Sequence, residues 1–281
     1  MHPDFSRNNR TGMPVNDIGI ITLAENVKEA TKFPKRRRHV FKDYKTPCKL
    51  LGKGTIDDIR DYLYVVTLLS ENGKLKGGGT LIDPRHVITA AHCLSKRLGP
   101  EIIVGSNNLI YGGTRYRILS ARMHPDYKRS NRTTLPVSDI GIITLAENVK
   151  EVTEFPKRRR RVFNDYETPC KVLGKGRIGY PENNVLSNKL KLGFVKQVSK
   201  SVCKRRWWKR IKNTKPAPHV LCMTSNDSAT CSGDSGGPLL CEGELTGIVS
   251  FGRRCGTGKP DIYVDILHYN DWIDWVINNE K

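Results

Sequence analysis

Residues 231 to 238 read Cys-Ser-Gly-Asp-Ser-Gly-Gly-Pro, and this stretch decides how the rest of the chain is interpreted. Glycines stand on either side of Ser235, with Asp234 directly before it and a proline closing the turn. A side chain at position 233 would obstruct the approach of a substrate oxygen to the backbone amides. Glycine has no side chain and leaves that approach open. The backbone amides of Gly233 and Ser235 can then point at one spot and stabilise a negatively charged oxygen. The pattern predicts a nucleophilic serine beside an oxyanion hole.

A serine nucleophile needs a general base, and His92 in Thr-Ala-Ala-His-Cys is the candidate. Imidazole titrates near neutral pH, so it can take the serine proton and later pass it to a leaving amine. None of the other six histidines lies in a comparable setting. Asp139 begins the apolar run Asp-Ile-Gly-Ile-Ile-Thr-Leu, which predicts a buried strand, and a buried carboxylate there would fix the imidazole tautomer. We therefore predict His92, Asp139 and Ser235 as the catalytic residues.

The order His, Asp, Ser along the chain is similar to that of the chymotrypsin and trypsin family of serine proteases. The resemblance runs from about Tyr62 to the C-terminus. Tyr64-Val-Val-Thr-Leu resembles the first barrel strand of the family and Gly78-Gly-Thr-Leu-Ile the strand that leads to the histidine. Ser250-Phe-Gly resembles the segment that pairs with an extended substrate.

The resemblance implies an all-β fold of two antiparallel six-stranded β-barrels, with the catalytic residues in the cleft between them. It also implies a serine endopeptidase that hydrolyses peptide bonds through an acyl-enzyme. Such an enzyme uses no cofactor and no metal. Its expected partners are protein or peptide substrates and protease inhibitors, and we expect a monomer.

The domain boundaries follow from the resemblance and from the end of the chain. Near the C-terminus, apolar residues recur at helical spacing, at Trp272, Ile273, Val276 and Ile277. We predict a C-terminal helix at about 270–279, packed on the second barrel. The protease domain is expected at 57–281, with the first barrel at about 57–155 and the second at about 156–267.

The N-terminal segment repeats the middle of the chain. Residues 1 to 56 align with residues 123 to 178, and 43 of the 56 positions are identical. The segment has no counterpart of His92 or Ser235, so we predict a partial duplicate and not an independent catalytic domain. Because the repeated unit is a slice through a barrel, a solenoid of stacked units is excluded.

Cysteine use indicates an oxidising compartment. The resemblance pairs six of the eight cysteines, as Cys170–Cys241, Cys203–Cys222 and Cys231–Cys255. Disulfides of this kind form outside the cytosol. We therefore expect a secreted protein, although the N-terminus lacks the apolar stretch of a signal peptide, which we attribute to a missing piece of chain. No apolar run approaches the ~20 residues that would span a bilayer, so no membrane partner is expected.

Two cysteines have no partner by resemblance. Gly77 stands where the family places the cysteine that bonds to Cys93, and Cys48 has no counterpart either. A bridge between Cys48 and Cys93 would require their Cα atoms to lie within about 7 Å. We expect two free thiols.

The activation step departs from the family. In the family, cleavage before an Ile-Val-Gly-Gly-like start frees an amine that pairs with the aspartate beside the nucleophile, here Asp234, and so orders the oxyanion hole. No Ile-Val-Gly-Gly-like sequence is evident around Leu51. Lys53 and Arg60 are both left as candidate residues after which activating cleavage could occur. The alternative function is therefore a non-catalytic or zymogen-locked homologue that acts as a basic binding protein.

The specificity pocket combines features that favour different substrates. In the family, the residue six positions before the nucleophile forms the pocket floor, and here it is Ala229. Asp261 replaces the usual glycine of the far wall, where it could bind Lys or Arg or lie shielded by Thr230. We predict chymotrypsin-like or broad specificity. The expected substrate-binding residues are Ala229, Thr230, Ser250, Phe251, Gly252 and Asp261.

The net charge of +20 is concentrated in short runs. These are Lys35-Arg-Arg-Arg, Lys157-Arg-Arg-Arg-Arg and Lys204-Arg-Arg-Trp-Trp-Lys-Arg. Such runs can bind a polyanion such as a glycosaminoglycan through counterion release. Trp207 and Trp208 could add stacking or could pack on the barrel. No nucleic-acid-binding module is evident, so a protease with a basic surface is favoured over a dedicated nucleic-acid binder.

Overall fold

The computed structural model describes most of the chain from residue 54 onward. The described residues are 54–56, 58–95, 97–109, 111–129, 136–178, 185–208, 218–226, 228–252, 255–256 and 259–280. Cys48 and almost the whole repeat lie outside them, so the partial duplicate stays a prediction. Within these ranges, no helix has the length and apolar character needed to cross a bilayer.

Six antiparallel strands close the first barrel, after a short strand β1 (Gly54–Thr55). Their bounds are β2 Val65–Ser70, β3 Leu75–Leu81, β4 His86–Thr89, β5 Leu98–Val104, β6 Thr114–Met123 and β7 Gly141–Leu145. They pair in the order β2-β3-β4-β7-β6-β5. Every residue of β7 is buried, which confirms the buried strand predicted from its continuous apolar run.

Six further strands close the second barrel, and β1 adds to its strand β11. The strands of this half are β8 Cys170–Gly174, β9 Arg177–Ile178, β10 Val185–Leu186, β11 Lys191–Gln197, β12 Val220–Thr224, β13 Pro238–Cys241, β14 Glu244–Phe251 and β15 Asp261–Asp265. The barrel runs β8-β11-β12-β15-β14-β13, while β9 and β10 form a separate two-stranded sheet. The predicted fold class of two six-stranded antiparallel barrels is confirmed.

Helices are few and short among the described residues. There, helix α1 spans Lys200–Trp208, helix α2 spans Asn270–Asn279, and three 3-10 turns occupy Arg60–Tyr62, Ala91–Leu94 and Ile266–Tyr269. The predicted C-terminal helix is thus present. Its apolar face buries Trp272, Ile273 and Val276 in a cluster that includes residues of both barrels. At its C-terminal end, the Glu280 carboxylate accepts hydrogen bonds from Ser120 and Thr144 of the first barrel, so the helix fastens both barrels.

The three predicted disulfides are present, as Cys170–Cys241, Cys203–Cys222 and Cys231–Cys255. All three lie in the second barrel or its loops. Cys93 is a buried free thiol. A Cβ atom placed on Gly77 would lie 2.7 Å from the Cys93 Sγ atom, so these two positions face each other as the resemblance implied.

The basic run at Lys157–Arg161 is largely neutralised within the fold. Arg159 is only 2% exposed, and its guanidinium pairs with Glu242 at 2.7 Å and Glu244 at 3.1 Å. Arg158 and Arg160 both pair with Asp274 of α2. This run connects the two barrels and holds α2 in place, which is a structural use of charge that the sequence pattern did not indicate.

Helix α1 carries the other described basic run. Lys204, Arg205 and Arg206 are exposed on it. Trp207 is buried instead: its indole N–H donates to the Pro260 carbonyl at 2.8 Å, and its ring packs on Phe251. Of the two roles left open for Trp207, packing on the barrel is therefore the one that the structure favours. Polyanion binding stays a prediction.

We expect Arg159→Ala to lower the free energy of unfolding by about 2 kcal/mol, because it removes the buried donor that binds the Thr246 hydroxyl and the Cys241 carbonyl. Arg160→Ala is the matched control. Its guanidinium is 58% exposed, so the loss should stay within about 1 kcal/mol. Urea unfolding monitored by fluorescence measures both free energies. Equal losses would show that the contacts of the buried Arg159 stabilise the fold no more than those of the exposed Arg160.

Candidate active site

Strand pairing in the first barrel brings His92 to Asp139. His92 lies in the 3-10 turn just after β4, and Asp139 lies just before β7. Because β4 and β7 pair antiparallel, with Thr89 opposite Gly141, the end of one strand lies beside the start of the other. The Asp139 Oδ2 atom lies 2.8 Å from His92 Nδ1, and Oδ1 accepts the His92 backbone N–H at 2.9 Å. Two contacts therefore fix both the ring and the backbone of the histidine.

The Asp139 carboxylate is also bound from the second barrel. It is only 1% exposed, and its Oδ2 atom accepts a hydrogen bond from the Ser250 hydroxyl at 2.6 Å. A buried carboxylate needs such donors, because burial removes its water. Ser250 was predicted as a substrate-binding residue, and the structure adds a contact with the aspartate.

The pKa of His92 reflects two opposing effects. Burial alone would lower it, whereas the hydrogen bond and charge of Asp139, together with the interaction with the neighbouring Cys93, favour the imidazolium, and the net result raises the pKa well above its ordinary value. The arrangement therefore stabilises the protonated ring that forms when the histidine accepts a proton.

Ser235 lies in a turn that both barrels hold. Gly233 and Gly236 have φ angles of +104° and +81°, a region that favours glycine. The Ser235 carbonyl accepts the Gly78 N–H of β3 at 2.8 Å, and the Gly236 N–H donates to the Val249 carbonyl of β14 at 2.7 Å. The turn is thus clamped between the first and the second barrel.

One cavity of about 460 Å³ joins these residues. His92 and Ser235 line it together with the predicted substrate-binding residues Thr230, Ser250, Phe251 and Gly252. On the side of the first barrel, Tyr127, Arg129 and Pro136 line it as well. Sequence reasoning missed these three, and the only available signal was their place in the connection that leads to Asp139.

Two predicted pocket residues do not line this cavity. Ala229 and Asp261 are both buried at 6% exposure beside Thr230. The Asp261 Oδ2 atom accepts the Thr230 backbone N–H at 2.7 Å, and burial raises the pKa of this carboxyl to about 6. Of the two alternatives that the sequence left open for Asp261, the shielded one fits this geometry.

Asp234 is fully buried behind the serine turn. Its Oδ1 atom accepts the Gly176 N–H at 2.7 Å and its Oδ2 atom accepts the Cys231 N–H at 2.9 Å. Burial raises the pKa of this carboxyl to about 7. In the part of the chain that the structure describes, no cationic side chain forms an ion pair with Asp234, so backbone amides alone hold it.

Comparison with known proteins agrees with this architecture. The sequence model of the trypsin family matches residues 53–273. Chymotrypsin-C of Bos taurus is 34% identical over 217 residues, which cover 70% of this chain and 76% of that protein. The thrombin-like enzyme cerastocytin of Cerastes cerastes is 30% identical over 221 residues, covering 75% of this chain and 81% of its own.

A solved structure shows the same likeness. Neuropsin, a serine protease expressed in the limbic system of mouse brain, matches with a TM-score of 0.69 at 26% identity. The match covers 80% of this chain and 99% of neuropsin. With the family match over most of its length and these relatives, the chain belongs to the trypsin family of chymotrypsin-like serine proteases.

Proposed function

We propose that the protein is a secreted serine endopeptidase, with Ser235 as nucleophile, His92 as general base and Asp139 as the carboxylate that orients the imidazole. The observation that carries this proposal is the 2.8 Å contact between His92 and Asp139 beside the cavity that also contains Ser235. The three disulfides support an extracytosolic location.

In this proposal each group has its own step. With Nδ1 bound to Asp139, the other ring nitrogen of His92, Nε2, is left to take the proton of Ser235 as its oxygen attacks the peptide carbonyl. The backbone amides of Gly233 and Ser235 stabilise the resulting oxyanion. His92 then protonates the leaving amine, and water hydrolyses the acyl-enzyme with the same base.

Asp234 supports an activation step in this proposal. A newly freed N-terminal amine would give its buried carboxylate a cationic partner and lower its pKa. Of the two cleavage sites that the sequence left open, cleavage after Arg60 would detach β1 and the buried Ile56 from the domain. Cleavage after Lys53 would keep both in the chain, with Gly54 as the first residue, and the two sites both stay open.

The nucleophile can be tested with a peptidyl phosphonate that labels activated serines. We expect Ser235→Ala to abolish labelling of the protein after limited proteolysis, because the atom that forms the covalent bond is removed. Ser232→Ala is the matched control, since Ser232 lines the same cavity. Mass spectrometry of the labelled peptide gives the site. Undiminished labelling of Ser235→Ala would refute the assignment.

The role of Asp139 predicts a change in both rate and pH dependence. We expect Asp139→Asn to lower kcat/KM by about 10⁴-fold, because the amide favours the wrong imidazole tautomer. Activity requires neutral His92, and Asp139 raises the pKa of that group, so its removal should also move the acid limb of kcat/KM to lower pH. A pH profile of ester hydrolysis measures both effects, and an unmoved acid limb would contradict the pairing.

Specificity follows from the shielded Asp261. We expect kcat/KM to be at least roughly tenfold higher for Phe, Tyr or Leu before the scissile bond than for Lys or Arg, because a buried cation would lose hydration without gaining a partner. The variant Asp261→Asn should leave this ratio nearly unchanged, since its amide oxygen can still accept from Thr230. A peptide-library profile dominated by Lys and Arg, and reduced selectively in the variant, would show that the carboxylate faces the substrate.

A further inference from the structure

Lys175 places a charged group inside the protein, away from the catalytic residues. It follows β8 in the second barrel and is only 5% exposed. Its ammonium donates to the Thr67 hydroxyl at 2.9 Å, to the Ser106 carbonyl at 2.6 Å and to the Asn108 carbonyl at 3.3 Å. All three acceptors belong to the first barrel or the loop after β5. The side chain therefore crosses from one barrel into the other.

The surroundings of this ammonium are neutral. Its three contacts match the three N–H donors of a lysine, so each donor has an acceptor. None of the carboxylates in the described ranges pairs with it, and burial lowers the pKa of Lys175 to about 8. Burial of a charge without an opposite charge is unfavourable. Simple packing would be served as well by an apolar side chain, so the position calls for a more specific explanation.

The backbone on either side of Lys175 touches the serine turn. The Gly176 N–H donates to Asp234 Oδ1 at 2.7 Å, and the Arg177 N–H donates to the Ser232 carbonyl at 2.9 Å. A Cβ atom on Gly233 would lie 3.0 Å from the Gly176 Cα atom, which shows how closely the two segments pack. Residues 174–177 thus form the support on which residues 232–234 rest.

We propose that Lys175 is a positioning residue for the oxyanion hole. Its ammonium anchors residues 174–177 to the first barrel, and these residues in turn hold the backbone whose Gly233 and Ser235 amides stabilise the oxyanion. The inference rests on the proposed endopeptidase function. It adds a residue that touches neither substrate nor reacting atoms and acts through the peptide backbone beside Asp234.

If Lys175 only stabilised the contact between the two barrels, its removal would have a different effect. Its removal would lower stability and leave the turnover of the folded protein unchanged. A positioning residue, in contrast, affects binding of the tetrahedral transition state more than binding of the ground state. The two explanations therefore differ in kcat and in the affinity for tetrahedral adducts.

The test uses the full chain after limited proteolysis. Lys175→Met keeps the length of the side chain and removes its charge and donors. We expect kcat on a peptide ester to fall by about 10- to 100-fold, which is no more than the fall in kcat when an oxyanion hole loses one of its donors. KM should change by less than about threefold. The affinity for a peptide aldehyde, which forms a tetrahedral adduct, should fall in proportion to kcat. The acid limb set by His92 should not move.

Two variants of Thr67 perturb the same interaction without removing the Lys175 ammonium. Thr67→Val keeps the shape of the side chain and removes one acceptor of the ammonium, so it should lower kcat in the same way but less. Thr67→Ser keeps the hydroxyl and should restore kcat. Arg158→Gln is the control for a polar contact weakened at another place in the fold. Arg158 binds Asn270 and Asp274 of α2, and neither belongs to the serine turn. This variant should lower stability with kcat unchanged.

Unchanged kcat and aldehyde affinity in folded Lys175→Met would overturn the proposal and leave Lys175 as a stabilising contact between the two barrels. If that variant does not fold, equal kcat in Thr67→Val and Thr67→Ser would overturn it. A wild-type chain without hydrolysis dependent on Ser235 would refute the endopeptidase function and this inference together, so the two failures are distinguishable.

Discussion

The rest of the site depends on the hydrogen bonds that the Asp139 carboxylate accepts. It binds the His92 ring and backbone within the first barrel and the Ser250 hydroxyl of the second. A buried carboxylate that lost any of these donors would be left with unmet hydrogen-bonding capacity. The relative placement of the two barrels at the cleft is therefore tied to the orientation of the histidine, and the fold cannot relax there without disturbing the candidate base.

Further polar contacts join the barrels, some beside the serine turn and others away from it, such as those of Glu280 with Ser120 and Thr144. The Gly78 N–H binds the Ser235 carbonyl, and the Lys175 ammonium enters the first barrel beside Thr67. Apolar packing is non-directional and would tolerate small sliding of one barrel on the other. Hydrogen bonds have narrow limits of distance and angle, so these few contacts can fix the register that the larger apolar surface leaves less defined.

The sequence predicted those features that depend on local pattern. The glycines around Ser235, the apolar run after Asp139 and the spacing of the last apolar residues each indicate a local geometry, and the serine turn, the buried strand and the terminal helix follow it, whereas the two barrels came from the resemblance. The disulfide pairs came from the resemblance and are present. Their pairing joins residues distant in sequence, which no local pattern specifies.

Charged residues were much harder to interpret from sequence. The run at Lys157–Arg161 suggested a solvated surface for polyanions, yet Arg159 is buried against Glu242 and Glu244. Lys175 lies between two glycines in a setting that resembles a loop. Whether a charge is buried depends on partners far along the chain, at separations of 108 residues for Thr67 and 83 for Glu242. Hydrophobic periodicity contains no information on such partners.

Asp234 and Lys175 lie on adjoining segments but do not pair. The Lys175 ammonium is occupied by three oxygens of the first barrel, while the Asp234 carboxylate accepts from the amides of Gly176 and Cys231. A lysine bound to Asp234 would neutralise it permanently and leave nothing for an incoming amine to gain. A Cβ atom on either neighbouring glycine, Gly174 or Gly176, would collide with the Asp234 carboxylate, whereas the Lys175 ammonium contacts the first barrel, so the carboxylate keeps its raised pKa. The same residue that anchors the support of the serine turn thus also leaves Asp234 available to a charge that cleavage would create.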